Sequence, residues 1–171
     1  NCEGETFVSD TVAVALEAPL IIECPTPTGL NASYDGENLT ITFDAVGSDF
    51  YDFSEYVIQA KNLNTAIEDL QIVPHPDNSA IFTVLPPSDG SSSFFEINIY
   101  QDCMVSRSGL MKGILEIVHD DAYRCMEPLP LSTEKMYLVV CQDGRYSSLE
   151  SFLNCHCDGT NLKPNIDPNC N

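Results

Sequence analysis

Five side chains near the C-terminus carry the donor atoms of a zinc site: Cys141, Cys155, His156, Cys157 and Cys170. Structural zinc sites usually take paired thiolates from a Cys-x2-4-Cys motif, because that spacing lets both sulfur atoms reach one tetrahedral ion. Cys155 and Cys157 are separated by a single residue, which is a poor spacing for this purpose. We therefore predict disulfides in this region, with no metal ligand and no cofactor.

Catalytic chemistry has little support in the sequence. The three histidines are His75 between two prolines, His119 before two aspartates, and His156 between two cysteines. A hydrolytic triad needs a nucleophile, a base and an orienting group, and no Gly-x-Ser-x-Gly motif is present. No Cys-x-x-Cys redox motif occurs either. The sequence predicts that the protein is not an enzyme.

Calcium is an open alternative. Asp49, Asp52 and Glu55 lie close together in one acidic segment, and Asp120 and Asp121 form another. Hard cations take several carboxylate oxygens, but no EF-hand pattern is present and solvated loop carboxylates explain the same residues. We keep an acidic extracellular matrix or calcium-associated structural protein as the alternative function.

Acidic residues dominate the composition. The 26 Asp and Glu residues against 7 Lys and Arg residues give a net charge of -19, and eleven carboxylates precede the first cation, Lys61. Such a surface repels nucleic acid and anionic lipid, and no apolar run approaches the ~20 residues of a membrane span. A protein partner, including a basic one, fits better. The charge also keeps an exported protein soluble.

Several features predict a secreted or extracellular glycoprotein. The chain begins at Asn1 without an initiator Met, and Asn31 and Asn38 begin Asn-x-Ser/Thr sequons, which are glycosylation sites in exported proteins. The cysteine count is even, and all eight cysteines are predicted to form disulfides whose pairing the sequence leaves open. They are Cys2, Cys24, Cys103, Cys125, Cys141, Cys155, Cys157 and Cys170. Cys2 and Cys24 bracket apolar runs and are expected to close a hairpin.

The cysteines also divide the chain. None occurs from Pro25 to Asp102, so the middle of the chain must be held by burial, while both flanks are covalently linked. We predict a disulfide-linked N-terminal extension at 1–24, a β-sandwich at 25–118 and a Cys-rich C-terminal subdomain at 119–171.

Alternating apolar residues predict short strands in the middle segment. Leu39, Ile41 and Phe43 share one face, and the preceding Asp35-Gly36 pair supplies the positive φ of a tight hairpin. Seven such strands, separated by turn residues, predict an all-β antiparallel two-sheet sandwich. They cover 30–34, 38–43, 56–60, 70–73, 80–85, 95–100 and 113–118. A further strand at 135–141 and a helix at 147–154 are predicted beyond them.

The segment 25–118 resembles a fibronectin type III domain. The resemblance lies in the opening PTPTGLNASY, the strands LTITFDA and YVIQA, and the run FTVLPPSDGSSSFFEINIY. Phe43 stands where the family usually has Trp, and Phe95 where it has the corner Tyr. Phe43 can still fill core volume, whereas Phe95 lacks the hydroxyl that pins the corner. The resemblance implies an extracellular recognition or adhesion module.

Aromatic residues in a connecting loop indicate where such a module would bind. In a type III sandwich the second-to-third-strand loop, here with Phe50, Tyr51 and Phe53, emerges beside the loop between the sixth and seventh strands, with Met104 and Arg107. The connection 75–79 is expected at the same end. Aromatic, Met and Arg side chains are enriched at interface centres. We predict a protein-binding site from these five residues, with Phe53 able to cap the core instead.

Overall fold

A computed structural model describes residues 24–45, 54–103, 106–127, 136–166 and 170. The sequence forms eleven strands and two helices in this part of the chain. The first seven strands are β1 Thr28–Tyr34, β2 Asn38–Asp44, β3 Glu55–Asn62, β4 Glu68–Pro74, β5 Ser79–Thr83, β6 Ser93–Asp102 and β7 Met111–Ile117. They are followed by α1 Asp121–Met126, β8 Tyr137–Cys141, β9 Gly144–Tyr146, α2 Leu149–His156, β10 Cys157–Asp158 and β11 Asn161–Leu162.

The strands form two facing sheets and one short hairpin. The smaller sheet has the order β1-β2-β5 and the larger has the order β4-β3-β6-β7-β8-β9, while β10 and β11 pair separately. All seven strands predicted between residues 30 and 118 are present, and neighbouring strands among them pair antiparallel. The predicted all-β, type III-like sandwich is confirmed. None of the described helices is long and apolar enough to cross a membrane.

The core lies between the sheets because each strand turns alternate residues inward. Leu39, Ile41 and Phe43 of β2 are all buried, and so are the inward residues of β6. The Phe43 ring meets the Tyr56 ring edge to face at 4.8 Å between centroids. Phe43 therefore fills core volume at the position where the resembled family has Trp.

The β1–β2 hairpin has the turn that its sequence predicts. Gly36 adopts φ +101°, a conformation that L side chains rarely take. The Asp35 carboxylate accepts hydrogen bonds from the backbone N–H groups of Glu37, at 3.0 Å, and Asn38, at 2.7 Å. These bonds lower the pKa of Asp35. The turn fixes the register that points Leu39 into the core.

The C-terminal segment extends the larger sheet. β8 runs parallel to β7, and the Val118 N–H donates to the Val140 carbonyl at 2.8 Å. Val139 and Val140 point to opposite faces of β8 and are both fully buried. A strand that is buried on both faces is typical of the interior of a sheet, and β8 lies between β7 and β9. The domain boundary expected at 118/119 thus falls between two neighbouring strands of one sheet.

A second apolar cluster lies under α2, around Phe152 and Tyr146. The helix begins at Leu149 because the Ser148 hydroxyl caps it by accepting from the Ser151 N–H, two residues later than the start predicted at 147. It ends at His156. Stacked and edge-to-face ring contacts join Phe152, Tyr146 and His156.

Candidate functional site

The β4–β5 connection is tied to both flanks of the 46–53 loop. Backbone and side-chain bonds join Asn78 to Phe43, the penultimate residue of β2: the Phe43 N–H donates at 3.2 Å, and the Asn78 amide donates back at 2.9 Å. The His75 N–H donates to the Ser54 carbonyl, just before β3, at 3.0 Å. Phe43 and Ser54, which flank the 46–53 segment, therefore both contact the 75–78 segment at one end of the sandwich.

The β6–β7 connection reaches the same end. Asp102, the last residue of β6, pairs with Glu55 at the start of β3. The loop then turns back tightly, with the Cys103 N–H donating to the Ser106 carbonyl at 2.9 Å. We call the combination of 46–53, 75–78 and 103–107 the loop end. Its described anchors lie together, as the resemblance implies.

Arg107 is held in an exposed position at the loop end. Its guanidinium carbon lies 4.3 Å from the centre of the Tyr100 ring, and one guanidinium nitrogen lies 3.9 Å from an Asp102 carboxylate oxygen. The side chain is still 62% exposed. A cation over an aromatic face is restrained without being desolvated, so Arg107 remains able to contact a partner.

The other predicted binding residues, Phe50, Tyr51, Phe53 and Met104, lie outside the described residues. Their contact with a partner stays a prediction from the sequence. The structure describes the residues that flank them, Ser54, Cys103 and Ser106.

Carboxylates surround this frame. Asp44, Glu55 and Asp77 are exposed, and Asp102 is partly exposed beside Arg107. Two more carboxylates of the 46–53 loop, Asp49 and Asp52, add to the negative charge in sequence. The described part of the loop end is therefore acidic, which favours a basic partner surface.

A disulfide closes the loop end. Cys24 is bonded to Cys103, with 5.9 Å between the Cα atoms and 79 residues between them in sequence. The expected Cys2–Cys24 bond is therefore wrong, and the hairpin that it was to close lies outside the described residues. Cys24 precedes β1 at the same end as the β6–β7 loop, so these two cysteines are the ones within bonding distance.

The remaining described cysteines lie around α2. Cys125 is bonded to Cys157 and Cys155 to Cys170, which removes three thiols from the zinc set considered in the sequence. Cys141, which was expected in a disulfide, is instead a free, buried thiol. The other cysteines in the described part of the chain are all bonded to one another, so none of them is left to pair with it. Cys2 lies outside the described residues.

Both sequon asparagines are partly exposed on the smaller sheet. The Asn31 side-chain oxygen accepts from the Ala32 N–H at 2.8 Å and from the Arg145 guanidinium. The Asn38 amide nitrogen lies 3.4 Å from the Asp35 carboxylate. Glycosylation of Asn31 and Asn38 stays a prediction.

A cluster of three polar side chains was not predicted from the sequence. Cys141, Asp143 and His156 bring a thiol, a carboxylate and an imidazole nitrogen within 4.8 Å of one another. Burial and the hydrogen bond to Asp143 raise the pKa of the Cys141 thiol. Cys141 and His156 did appear in the zinc set, but the carboxylate partner shares no local motif with them.

Comparison of the sequence with protein-family models and with curated proteins gives no match. Comparison of the structure gives similar folds. The FN3 domain of human collagen XX is 15% identical and covers 58% of this chain and 98% of its own, with a TM-score of 0.45. A two-domain fibronectin type III segment from chicken tenascin is 14% identical and covers 52% of this chain and 47% of its own, with a TM-score of 0.42. The fold class rests on the strand order and register described above.

Proposed function

We propose that this chain is an extracellular recognition module that binds another protein through the loop end of its sandwich. The observation that carries the proposal is the joining of three separate connections. Asn78 is bonded to Phe43 and His75 to Ser54, and Asp102 pairs with Glu55 where β6 ends and β3 begins. The disulfide holds Cys103 to Cys24, just before β1. A surface assembled from three connections on a rigid frame is a common arrangement for recognition.

Fixed anchors favour binding because they lower its entropic cost. Each loop that must be ordered on association subtracts from the affinity, and here the flanks of the 46–53 loop are already held. The aromatic residues of that loop, Phe50, Tyr51 and Phe53, are the side-chain types that supply most of the energy at interface centres. Arg107 adds an exposed guanidinium at the same end.

The acidic charge of the loop end gives the proposal an electrostatic consequence. Asp44, Glu55 and Asp77 would attract a basic partner surface and speed association at low ionic strength. Exposed charge pairs are screened as salt increases, because the Debye length falls from about 10 Å at 0.1 M to about 3 Å at 1 M. Binding should therefore be faster at low salt, with the aromatic contribution retained at high salt.

The test begins with capture of a partner by the immobilised chain from extracellular material, followed by purification of the retained protein. Its dissociation constant is then measured against wild type and against Phe50→Ala/Tyr51→Ala. Loss of two anchor rings should weaken binding by at least about 2 kcal/mol, or about thirtyfold, with the melting temperature nearly unchanged.

A matched control uses two exposed apolar residues at the opposite end of the sandwich. Leu63 is 46% exposed and Leu85 is 82% exposed, so Leu63→Ala/Leu85→Ala removes two large apolar side chains from the surface away from the loop end. This variant should bind as wild type does. Equal weakening by both variants, or normal binding by the loop variant, would refute the proposal.

A further inference from the structure

We propose that Cys141, Asp143 and His156 bind one zinc ion. The donor atoms of these three side chains lie within 4.8 Å of one another. Cys141 and His156 are buried, whereas Asp143 is exposed. The site lies on the C-terminal extension of the sheet and is independent of the proposed binding at the loop end.

The backbone positions the three donors rigidly. Cys141 ends β8, and the turn to β9 folds Asp143 back so that one carboxylate oxygen lies 2.9 Å from the sulfur. His156 ends α2 between Cys155 and Cys157, and both neighbours are disulfide-bonded, to Cys170 and Cys125 respectively. A histidine flanked by two covalent links cannot move far from the thiol and the carboxylate.

The surroundings of the imidazole resemble those of metal-ligating histidines. Asp121 Oδ2 lies 2.8 Å from His156 Nδ1, and the Tyr146 hydroxyl lies 2.7 Å from Nε2. A histidine ligand typically bonds the ion with one nitrogen, while a carboxylate or another acceptor holds the other nitrogen and fixes the ring. The nitrogen that binds the ion gives up its present partner, Asp121 at Nδ1 or the Tyr146 hydroxyl at Nε2, and the other nitrogen keeps its own.

The chemical types of the three donor atoms favour zinc over calcium or magnesium. One thiolate, one imidazole and one carboxylate suit zinc, whereas calcium and magnesium prefer six or more oxygen ligands. Zinc takes such ligands at about 2.0–2.3 Å, so three donor atoms within 4.8 Å of one another can converge on a single ion by side-chain rotation. On binding, the Cys141 thiol loses its proton to water as the sulfur–zinc bond forms.

A surface depression lies beside the site and reaches one of its three donors. It is lined by Asp143 and Asp121 together with His119, Asp120 and Gln142, whereas Cys141 and His156 are buried. The carboxylates give a cation an approach to the otherwise buried sulfur and imidazole. Three protein ligands leave the fourth tetrahedral position for water.

The test uses the full chain with its disulfides intact, freed of metal by a chelator and titrated with zinc chloride in a calorimeter. We expect uptake of one zinc ion per chain. Cys141→Ser and Asp143→Asn should each weaken it by at least about tenfold, since loss even of outer-shell partners costs that much. Asp143 is exposed, so Asp143→Asn should fold normally.

The control is Asp120→Asn, which removes the same charge from the same depression while leaving the three donors in place. Asn keeps the side-chain oxygen with which Asp120 caps α1. Its zinc affinity should stay close to that of wild type. Cobalt provides a second readout: wild type should show a thiolate-to-cobalt absorption band that Cys141→Ser lacks.

Three results would overturn the proposal. The first is no stoichiometric zinc uptake, and the second is equal weakening by Asp120→Asn and Asp143→Asn, which would indicate only diffuse attraction to carboxylates. The third is peptide mapping that finds Cys141 disulfide-bonded to Cys2 in protein isolated without reductant.

Discussion

The guanidinium group of Arg124 lies directly against the carboxylate of Glu116, and the two side chains are 1% and 0% exposed. Glu116 belongs to β7 and Arg124 to α1, so the pair attaches the first helix to the sheet. The Tyr137 hydroxyl of β8 also donates to Glu116. Burial and the Glu116 carboxylate raise the pKa of Tyr137, which keeps the donor proton in place. This buried network closes the junction between the sandwich and its C-terminal extension.

Arg124→Met should destabilise the protein strongly. Removing the cation leaves the Glu116 carboxylate buried without its opposite charge, which typically costs about 3–5 kcal/mol. Urea unfolding of wild type and variant measures the loss.

The double variant Arg124→Met/Glu116→Gln separates the penalty of an unpaired charge from the loss of packing. The introduced glutamine would be neutral and would still accept from Tyr137, so the double variant should be more stable than the single one. A double variant as unstable as the single variant would mean that packing, and not charge, dominates at Arg124.

Cys24→Ser/Cys103→Ser should loosen the loop end as well as destabilise the fold. The bond spans 79 residues, and loop-closure entropy for a span of that size corresponds to roughly 4.5 kcal/mol. Hydrogen exchange in the variant should rise in peptides covering 75–78 and 103–107. Cys155→Ser/Cys170→Ser removes a bond across only 15 residues and serves as the control, with exchange at the loop end unchanged.

His119 should make stability depend on pH. Burial lowers its pKa below the ordinary value of 6.5. The unfolded chain then binds more protons than the folded one as pH falls through about 6.5, so stability decreases toward acid pH. In His119→Gln, which keeps a partner for the Ser93 hydroxyl, the change in urea midpoint between about pH 7.5 and about pH 5.5 should be smaller. An unchanged difference would assign the pH dependence to other groups.

Local patterns predicted the sandwich because each of its strands alternates and each turn has a local chemical cause. Leu39 and Ile41 fall inward at period two, and Gly36 supplies positive φ beside Asp35. The position of β8 was not predictable in this way. β8 pairs in parallel with β7, and a long connection separates the two strands in sequence. The apolar run at Val139 and Val140 predicts a buried strand but does not indicate which strand it pairs with.

The candidate sites also differ in how far local sequence patterns could predict them. The arrangement of the loop end could be inferred because the resemblance implies which connections lie together: Phe43 is bonded to Asn78, and Ser54 to His75. The Cys24–Cys103 bond and the free thiol of Cys141 depend on which cysteines lie close together in the folded chain. An even number of cysteines in the sequence does not indicate this.

The central claim, that the loop end binds a protein, is tested most directly by hydrogen–deuterium exchange of the chain alone and in complex with its captured partner. We predict protection in the 46–53, 75–78 and 103–107 peptides, with peptides around Leu63 and Leu85 unchanged. Protection confined to the opposite end, or to the exposed strands β4 and β5, would contradict the account.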